Sequence, residues 1–172
     1  MSDTIKRLLF HDQPDRPDII YEDLATDDLQ LKLIKYAYGS AYVGRLPCWF
    51  FSIYNYDGDL MGACDLRCGW APEIAYAGHI GYRIFPPFRG HGYAQAAARL
   101  LLGLAHRMKM ETVIITCDPD NIASRRTLEN LQGHFDGIAE VPRHTPAWRS
   151  GDREKCQFWY KTADYPIPNK QQ

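Results

Sequence analysis

The sequence predicts a mixed α/β domain whose sheet begins with antiparallel strands. An Asp-Gly turn at residues 57–58 separates two strand-like runs, the first of which is rich in aromatic and β-branched residues. A glycine-rich loop further on leads into a long run of strong helix formers. Strand and helix patterns then alternate until two final strands, and this order describes a mixed sheet with helices.

The first half of the chain is predicted to consist mainly of strands. Residues 29–36 alternate leucine with polar residues, which favours a half-buried strand, with a helix as the competing interpretation. Residues 47–54 and 60–66 flank the Asp-Gly turn and predict a hairpin. Residues 70–77 are interpreted as a loop. Residues 79–85 predict a further strand, which two prolines end.

The second half begins with the most regular pattern. Residues 94–107 predict a helix whose cationic end suits the negative pole of the helix dipole. The apolar run at residues 111–117 is typical of a strand buried on both faces. A turn with capping residues at positions 118–121 then opens a predicted helix over residues 122–131, closed by Gly133.

The chain closes with two predicted strands, at residues 135–141 and 157–162, separated by a charged loop at residues 144–154. No internal repeat, low-complexity tract or linker divides the sequence. We therefore expect a single domain over residues 1–172.

The composition excludes several classes of protein. Hydrophobic residues make up 45% and charged residues 24%, with a net charge of −1, so no basic field attracts nucleic acid or an anionic membrane. Residues Met1–Phe10 lack the apolar run of a signal peptide. No run of about 18 apolar residues predicts a membrane span. We expect a soluble, cytoplasmic protein.

The cysteines favour reduced thiols over a disulfide framework, because their number is odd. Cys64 and Cys68 have a loose metal-like spacing, but no second Cys/His pair lies near them in sequence. Strand packing is the better interpretation for this pair, and no metal is expected. The five cysteines are Cys48, Cys64, Cys68, Cys117 and Cys156.

The loop at residues 89–94, with the sequence RGHGYA, leaves a strand and opens a helix. Its two glycines allow a tight turn, and the unpaired N–H groups of a helix N-terminus form a site for phosphate oxygens. The alternative is a plain strand-to-helix turn. A Walker loop is excluded because Gly-Tyr-Ala replaces Gly-Lys-Ser/Thr, and a dinucleotide fingerprint because Gln95 replaces its third glycine.

Two segments resemble the GNAT acetyltransferases, which transfer the acetyl group of acetyl-CoA to amines. Residues 80–94, IGYRIFPPFRGHGYA, resemble the family signature, with Arg89, Gly92 and Ala94 at its defined positions. Residues 113–133, VIITCDPDNIASRRTLENLQG, resemble its second half: a buried strand, an acidic turn and a helix opened by Asn-x-x-Ser. The resemblance covers residues 60–140 well.

The resemblance implies a mostly antiparallel sheet with helices on both faces and a V-shaped splay between two central parallel strands. The backbone N–H groups of residues 90–94 would hold the CoA pyrophosphate beside Arg89, and residues 83–85 would pair with the pantetheine arm. Asn121, whose alternative role is a helix cap, and Ser124 would lie near the sulfur. The implied CoA-binding residues are Arg83, Ile84, Phe85, Arg89, Gly90, His91, Gly92, Tyr93, Ala94, Asn121 and Ser124.

Transfer to an amine requires a base, because a free alkylamine with a pKa of roughly 10 is protonated at neutral pH. His79, at the start of the splayed strand, is the first candidate, and a histidine hydrogen-bonded within the sheet is the alternative. Glu73 is the second candidate, acting through water, with a solvated surface carboxylate as its alternative. The resemblance places Trp70 and Tyr76 on the acceptor side as well.

The sequence departs from the family at two places. Leu128 stands where many members have the tyrosine that protonates the leaving thiol, so Ser124 or water is expected to serve. The family usually places two helices between its first two strands, and residues 37–47 are too few for them. The acceptor site is therefore expected to be open, or completed by a partner chain or by residues 144–154. Cys117 is disfavoured as a nucleophile because no base stands beside it in sequence.

The function implied by the resemblance is an N-acetyltransferase in which a primary amine attacks acetyl-CoA directly in a ternary complex. The acceptor is a small-molecule or peptide amine, and a homodimer is one of the assemblies expected. The alternative is a CoA-binding module without transferase activity, which the missing tyrosine favours. A purely structural domain would have no reason to combine both glycines with the asparagine turn.

Overall fold

The computed structural model describes residues 14–167 of the chain, so the interpretation of Met1–Phe10 lies outside the described residues. The strands fall into two sheets, and every pairing within them is antiparallel. None of the helices within residues 14–167 is long and apolar enough to cross a membrane.

The first sheet contains the four strands β1 (Gln30–Tyr38), β2 (Pro47–Tyr54), β3 (Leu60–Arg67) and β4 (Ile80–Ile84), in that order. The strand interpretation of residues 29–36 is confirmed. Leu29 and Leu31 are buried and Leu33 is half-buried, while Lys32 is exposed, as the alternating pattern predicts.

The turn between β2 and β3 is the predicted Asp-Gly hairpin. Gly58 has a φ of +91°, a backbone conformation that glycine adopts without strain. The side chain of Asn55 closes the turn, because its Oδ1 accepts a hydrogen bond of 2.8 Å from the N–H of Asp59. Local turn chemistry therefore fixes the register of the first hairpin.

The second sheet contains β5 (Thr112–Cys117), β6 (His134–Glu140) and β7 (Glu154–Lys161), in the order β5-β7-β6. Strand β7 begins three residues before its predicted start at position 157. The sequence hides this start because Lys155 resembles a loop residue, although it is buried and paired with two aspartates.

Within residues 14–167, four α-helices join the strands: α1 (Ile74–Ala77), α2 (Tyr93–Arg107), α3 (Ile122–Asn130) and α4 (Pro146–Arg149). The two longer helices agree with their predictions within one residue. The interpretations of residues 70–77 and 144–154 as loops are wrong in part, because α1 and α4 lie within them. A helix of one turn contains no full hydrophobic period, so the sequence pattern does not reveal it.

The main hydrophobic core lies between α2 and the two sheets. Leu101 of α2 packs there with Val113 and Ile115 of β5, and all three are fully buried. Thr116 points to the opposite face of β5, where its hydroxyl donates a 3.0 Å hydrogen bond to the carbonyl of Tyr76 in α1. Helices therefore lie on both faces of the second sheet, as expected.

The connection between β1 and β2 holds a 3-10 turn at Ala41–Val43, and no α-helix occurs in this described segment. The two helices that the family usually places here are absent from the connection. The expectation that they are reduced is confirmed.

The end of α3 differs from its prediction. Gln132, with a φ of +64°, takes the left-handed position that was assigned to Gly133. Gly133 serves a different purpose, because a Cβ atom there would overlap the ring of Tyr160. The Tyr160 hydroxyl donates a 2.8 Å hydrogen bond to the carbonyl of Leu128, so the ring is fixed in place.

We therefore expect Gly133→Ala to destabilise the fold by about 1–3 kcal/mol, because the added methyl group overpacks a fixed aromatic ring. The free energy of unfolding is measured by urea titration. In a Tyr160→Leu background, where the ring is gone, the same change is expected to have little effect. An equal cost in both backgrounds would contradict the steric explanation.

Candidate active site

The two sheets touch at the start of β4 and separate beyond it. The N–H of His79 donates a 2.7 Å hydrogen bond to the carbonyl of Ile114, in the middle of β5. Past this point the two strands, which belong to different sheets, are not paired with each other. A cavity of about 210 Å³ opens between them. Its walls include residues 80–82 of β4 and residues 116–118 at the end of β5. This is the V-shaped cleft that the resemblance implies.

His79 is a structural bridge between the sheets. Its Nδ1 accepts a 3.0 Å hydrogen bond from the N–H of Ile114, and its Nε2 lies 3.1 Å from the carbonyl of Gly69. Because Nδ1 is the acceptor, the ring proton is on Nε2. Burial, with 3% of the residue exposed, lowers the pKa of His79 to about 4. The geometry therefore favours the sheet-bound histidine over the base.

Glu73 lies at the start of α1, and its carboxylate packs against Gly44 in the turn before β2. It does not contribute to the wall of the cavity, and neither does Trp70, whose side chain is largely exposed. Tyr76, the third residue expected on the acceptor side, is buried and lines the cavity.

The wall nearest α3 carries two hydroxyl groups in contact. The Tyr82 hydroxyl, from β4, lies 2.8 Å from the Oγ of Ser124, from the first turn of α3. Asn121 caps this helix, because its Oδ1 accepts a 3.1 Å hydrogen bond from the N–H of Ser124. All three residues line the cavity. Asn121 and Ser124 therefore both belong to the wall of the cavity, and Asn121 is a helix cap as well.

Leu128 does not face the cavity. One turn beyond Ser124, its side chain is fully buried in the main core. Tyr82 is the functional candidate that the sequence reasoning missed. The signal was available in part, since Tyr82 lies in the quoted family segment next to the residues assigned to the pantetheine arm.

A group of charged residues forms the opposite part of the wall. The Nζ of Lys155 lies 2.5 Å from Asp118 Oδ1 and 3.1 Å from Asp152 Oδ1. The Tyr42 hydroxyl donates a hydrogen bond to Asp152. Burial alone would lower the pKa of Lys155, but the hydrogen bonds to both aspartates outweigh it, and the pKa is raised. Lys155 therefore remains a cation that positions Asp118 at the cavity.

The glycine loop opens α2 at the far end of β4. Gly90 and Gly92 have φ values of +82° and +79°, and Gly92 is the N-cap without any side-chain cap. The first paired N–H of this helix is that of Ala96, which donates to the carbonyl of Gly92 at 3.0 Å. No heavy atom lies within 4 Å of a Cβ built on either glycine, so the loop backbone is open to a ligand.

The end of β4 joins the loop to the cavity. Arg83 and Ile84 pair with β3 along one edge, and the N–H of Phe85 donates to the carbonyl of Met61 at 2.9 Å. The other edge faces the gap between the sheets. Arg89 folds back along this segment, with its Nε 3.0 Å from the carbonyl of Ile84. His91 stacks on Tyr93 beside the loop, with ring centroids 5.6 Å apart.

The bridging histidine predicts a pH dependence of stability. The pKa falls from 6.5 in an ordinary histidine to about 4 here, which corresponds to about 3 kcal/mol. This contribution is present above pH 6.5 and is lost as the pH falls towards 4, because the unfolded chain binds the proton first. In urea unfolding between these pH values, His79→Gln is expected to lose less stability than the parent protein. Equal losses in both proteins would contradict the prediction.

The part of the chain that forms the cleft also matches a known protein family. A family model described as an acetyltransferase (GNAT) domain matches residues 12–134. This range holds the cleft strands β4 and β5, the glycine loop and α3. A search of curated proteins gives no significant match.

Solved structures of acetyltransferases share the fold. A ribosomal-protein-S5-alanine acetyltransferase from Vibrio fischeri has a TM-score of 0.54 at 15% identity, over 69% of this chain and 63% of its own. RimJ from Mycobacterium smegmatis, in complex with CoA-disulfide, has a TM-score of 0.54 at 20% identity, over 69% and 55%.

A third structure matches over a longer range. A proposed ribosomal-protein-serine acetyltransferase from Vibrio cholerae has a TM-score of 0.58 at 18% identity, over 87% of this chain and 99% of its own. The chain thus spans less than two thirds of the V. fischeri and M. smegmatis proteins but nearly all of this one. At these identities the three likenesses describe the fold.

Proposed function

Because the chain belongs to the GNAT acetyltransferase family, as the family model over residues 12–134 shows, we propose that it transfers the acetyl group of acetyl-CoA to a primary amine. The observation that carries the proposal is the cleft between β4 and β5, with the open glycine loop at one end and polar side chains in its walls. The amine attacks the thioester directly, in a complex that holds both substrates.

The glycine loop is the proposed site of the CoA pyrophosphate. The N-terminal N–H groups of α2 lack partners within the helix and carry the positive end of its dipole, so they attract phosphate oxygens. The exposed Arg89 adds positive charge beside them. From there the pantetheine arm would follow the open edge of residues 83–85 into the cavity, and bring the thioester towards Ser124.

Substitution in the loop tests this placement. Gly92→Val is expected to weaken CoA binding at least tenfold, or by about 1.4 kcal/mol, because a branched side chain would stand where the backbone meets phosphate. The affinity is measured by calorimetry. Gly58→Val is the matched control, since Gly58 also has a positive φ and open surroundings but lies in the hairpin turn. Unchanged affinity in a folded Gly92→Val protein would contradict the placement.

Direct attack by the amine agrees with the protonation state of Cys117, the cysteine that lines the cleft. Burial raises the pKa of Cys117 to about 12, with smaller contributions from the neighbouring Cys156 and Asp118. The nucleophilic form of cysteine is the thiolate, which is scarcely populated at neutral pH when the pKa is this high. This supports direct transfer from acetyl-CoA to the amine without an acetylated Cys117.

Asp118 is the proposed base. Its carboxylate lines the cavity, and one oxygen is held by Lys155. The other oxygen is available to accept a hydrogen bond from the ammonium group of an acceptor, which places the carboxylate where the amine must lose its proton. The amine then attacks the carbonyl carbon, the C–S bond breaks, and its electron pair leaves with the sulfur.

A comparison of carboxylate variants tests this role. Asp118→Asn is expected to lower turnover at least tenfold with CoA affinity unchanged, whereas Glu73→Gln should stay near the parent rate because Glu73 lies away from the cavity. Asp152→Asn is the control for loss of an ion pair with Lys155, because it removes the charge of Asp152 and leaves the carboxylate of Asp118 in place. A loss in Glu73→Gln without one in Asp118→Asn would transfer the role to Glu73 acting through water.

We propose a peptide or small-molecule amine as the acceptor. The described connection between β1 and β2 contains one short 3-10 turn and no α-helix to enclose the acceptor side, which supports a large acceptor such as a peptide N-terminus. Incubation with acetyl-CoA and a panel of peptides and small amines, followed by assay of released thiol, tests transfer. Binding of CoA without turnover on any acceptor would instead support the module without transferase activity.

The five unpaired cysteines support a reducing compartment, and we therefore propose a cytoplasmic location. Association into a homodimer stays a prediction. So does the extent of a single domain over residues 1–172.

A further inference from the structure

We propose that Tyr82 positions the hydroxyl of Ser124, and that this pair stabilises the departing CoA thiolate by hydrogen bonding without giving up a proton to it. The inference rests on the proposed function, because it concerns the leaving group of the same reaction. It assigns a role to a residue of β4 that the motif-based reasoning left without one.

The positions of the two hydroxyl groups bear on which of them donates the hydrogen bond. The two oxygens lie 2.8 Å apart in the wall of the cavity, and Asn121 holds the backbone of Ser124 from the other side. Either hydroxyl can donate in this contact, and we assign the donor role to Tyr82 because a phenol is more acidic than an aliphatic alcohol. The hydrogen of Ser124 is then directed away from Tyr82, and the donated hydrogen bond strengthens the one that Ser124 gives in turn.

The electrostatics decide between hydrogen bonding and proton transfer. Burial raises the pKa of Tyr82 to about 12, and the hydrogen bond with Ser124 offsets only part of this. A thiol such as that of CoA has a pKa of roughly 8.5. Transfer of a proton from Tyr82 to the thiolate is therefore uphill, and the thiolate takes its proton from solvent after it leaves.

Position 128 explains why the phenol comes from β4. Its leucine is fully buried in the core, and its carbonyl is occupied by the hydroxyl of Tyr160. A tyrosine at this position would have to displace core side chains to reach the cavity. Tyr82 reaches Ser124 from β4 without that displacement.

Binding experiments test the pair without knowledge of the acceptor. The affinity of CoA is compared with that of desulfo-CoA between pH 7 and 9.5, in the parent protein and in Tyr82→Phe and Ser124→Ala. In the parent, the logarithm of the ratio of the two affinities should rise with pH and reach its midpoint below about 8.5, because the pair favours the thiolate and lowers the pKa of the bound thiol. Ser124→Ala should abolish the rise, and Tyr82→Phe should reduce it. The ratio cancels the effect of other titratable groups of the cavity on the rest of the ligand, namely Tyr42, Arg67, Tyr76, Cys117, Asp118 and Lys155.

Tyr160→Phe is the matched control, because it also removes a buried phenol that is hydrogen-bonded near α3, but one that does not line the cavity. It should leave the ratio at the parent value. A ratio that is independent of pH in the parent, or unchanged in Tyr82→Phe, would overturn the proposal. Failure of CoA itself to bind would overturn the CoA placement and this inference together.

Turnover supplies the second readout. Ser124→Ala is expected to be 5- to 30-fold slower, Tyr82→Phe 2- to 10-fold slower, and the double variant no slower than Ser124→Ala, since Tyr82 acts through Ser124. Additive losses would overturn the coupling. A basic limb in the parent rate profile that Tyr82→Phe removes would show proton transfer by the phenol, contrary to the proposal. Absence of turnover alongside the expected binding ratios would count against acetyl transfer but not against the pair.

Discussion

The buried imidazole of His79 determines where the two sheets part. A neutral imidazole offers one donor and one acceptor on a rigid ring, and His79 uses them on Gly69 and Ile114. The backbone N–H of His79 also donates a hydrogen bond to the carbonyl of Ile114. This joins β4 to β5 at one point and nowhere further along. The cavity, the open edge of β4 and the loop that follows are all consequences of this divergence, since two continuously paired strands would leave no room for a ligand.

Local patterns predicted most of the elements, because turns, helix starts and buried strands are each specified by neighbouring residues. The Asp-Gly hairpin, the glycine loop and the run that forms β5 were all assigned correctly. The role of His79 was left open for the opposite reason. Its partners lie 10 and 35 residues away, so the choice between a base and a bridge depended on contacts that no sequence window contains.

The same limit applies to the hydroxyl pair. Family resemblance directed attention to position 128, where a phenol is missing, and not to Tyr82, whose partner Ser124 is 42 residues away. Only the folded chain brings β4 and the start of α3 together. The sequence likewise shows Asp118 only as part of a turn, because Lys155, which holds its carboxylate at the cavity, comes from a distant strand.

The distribution of charge over the cavity matches the energetic demands of the proposed reaction. The acceptor ammonium, with a pKa of roughly 10, must lose a proton before it attacks, whereas a thiolate with a pKa of roughly 8.5 leaves readily without one. A carboxylate is therefore useful on the amine side and a strong acid is unnecessary on the sulfur side. In the proposed mechanism Asp118 supplies the first, and the neutral hydroxyls of Tyr82 and Ser124 suffice for the second. On this view the leucine at position 128 costs the protein no catalytic group, because the reaction asks only for a hydrogen bond at the sulfur.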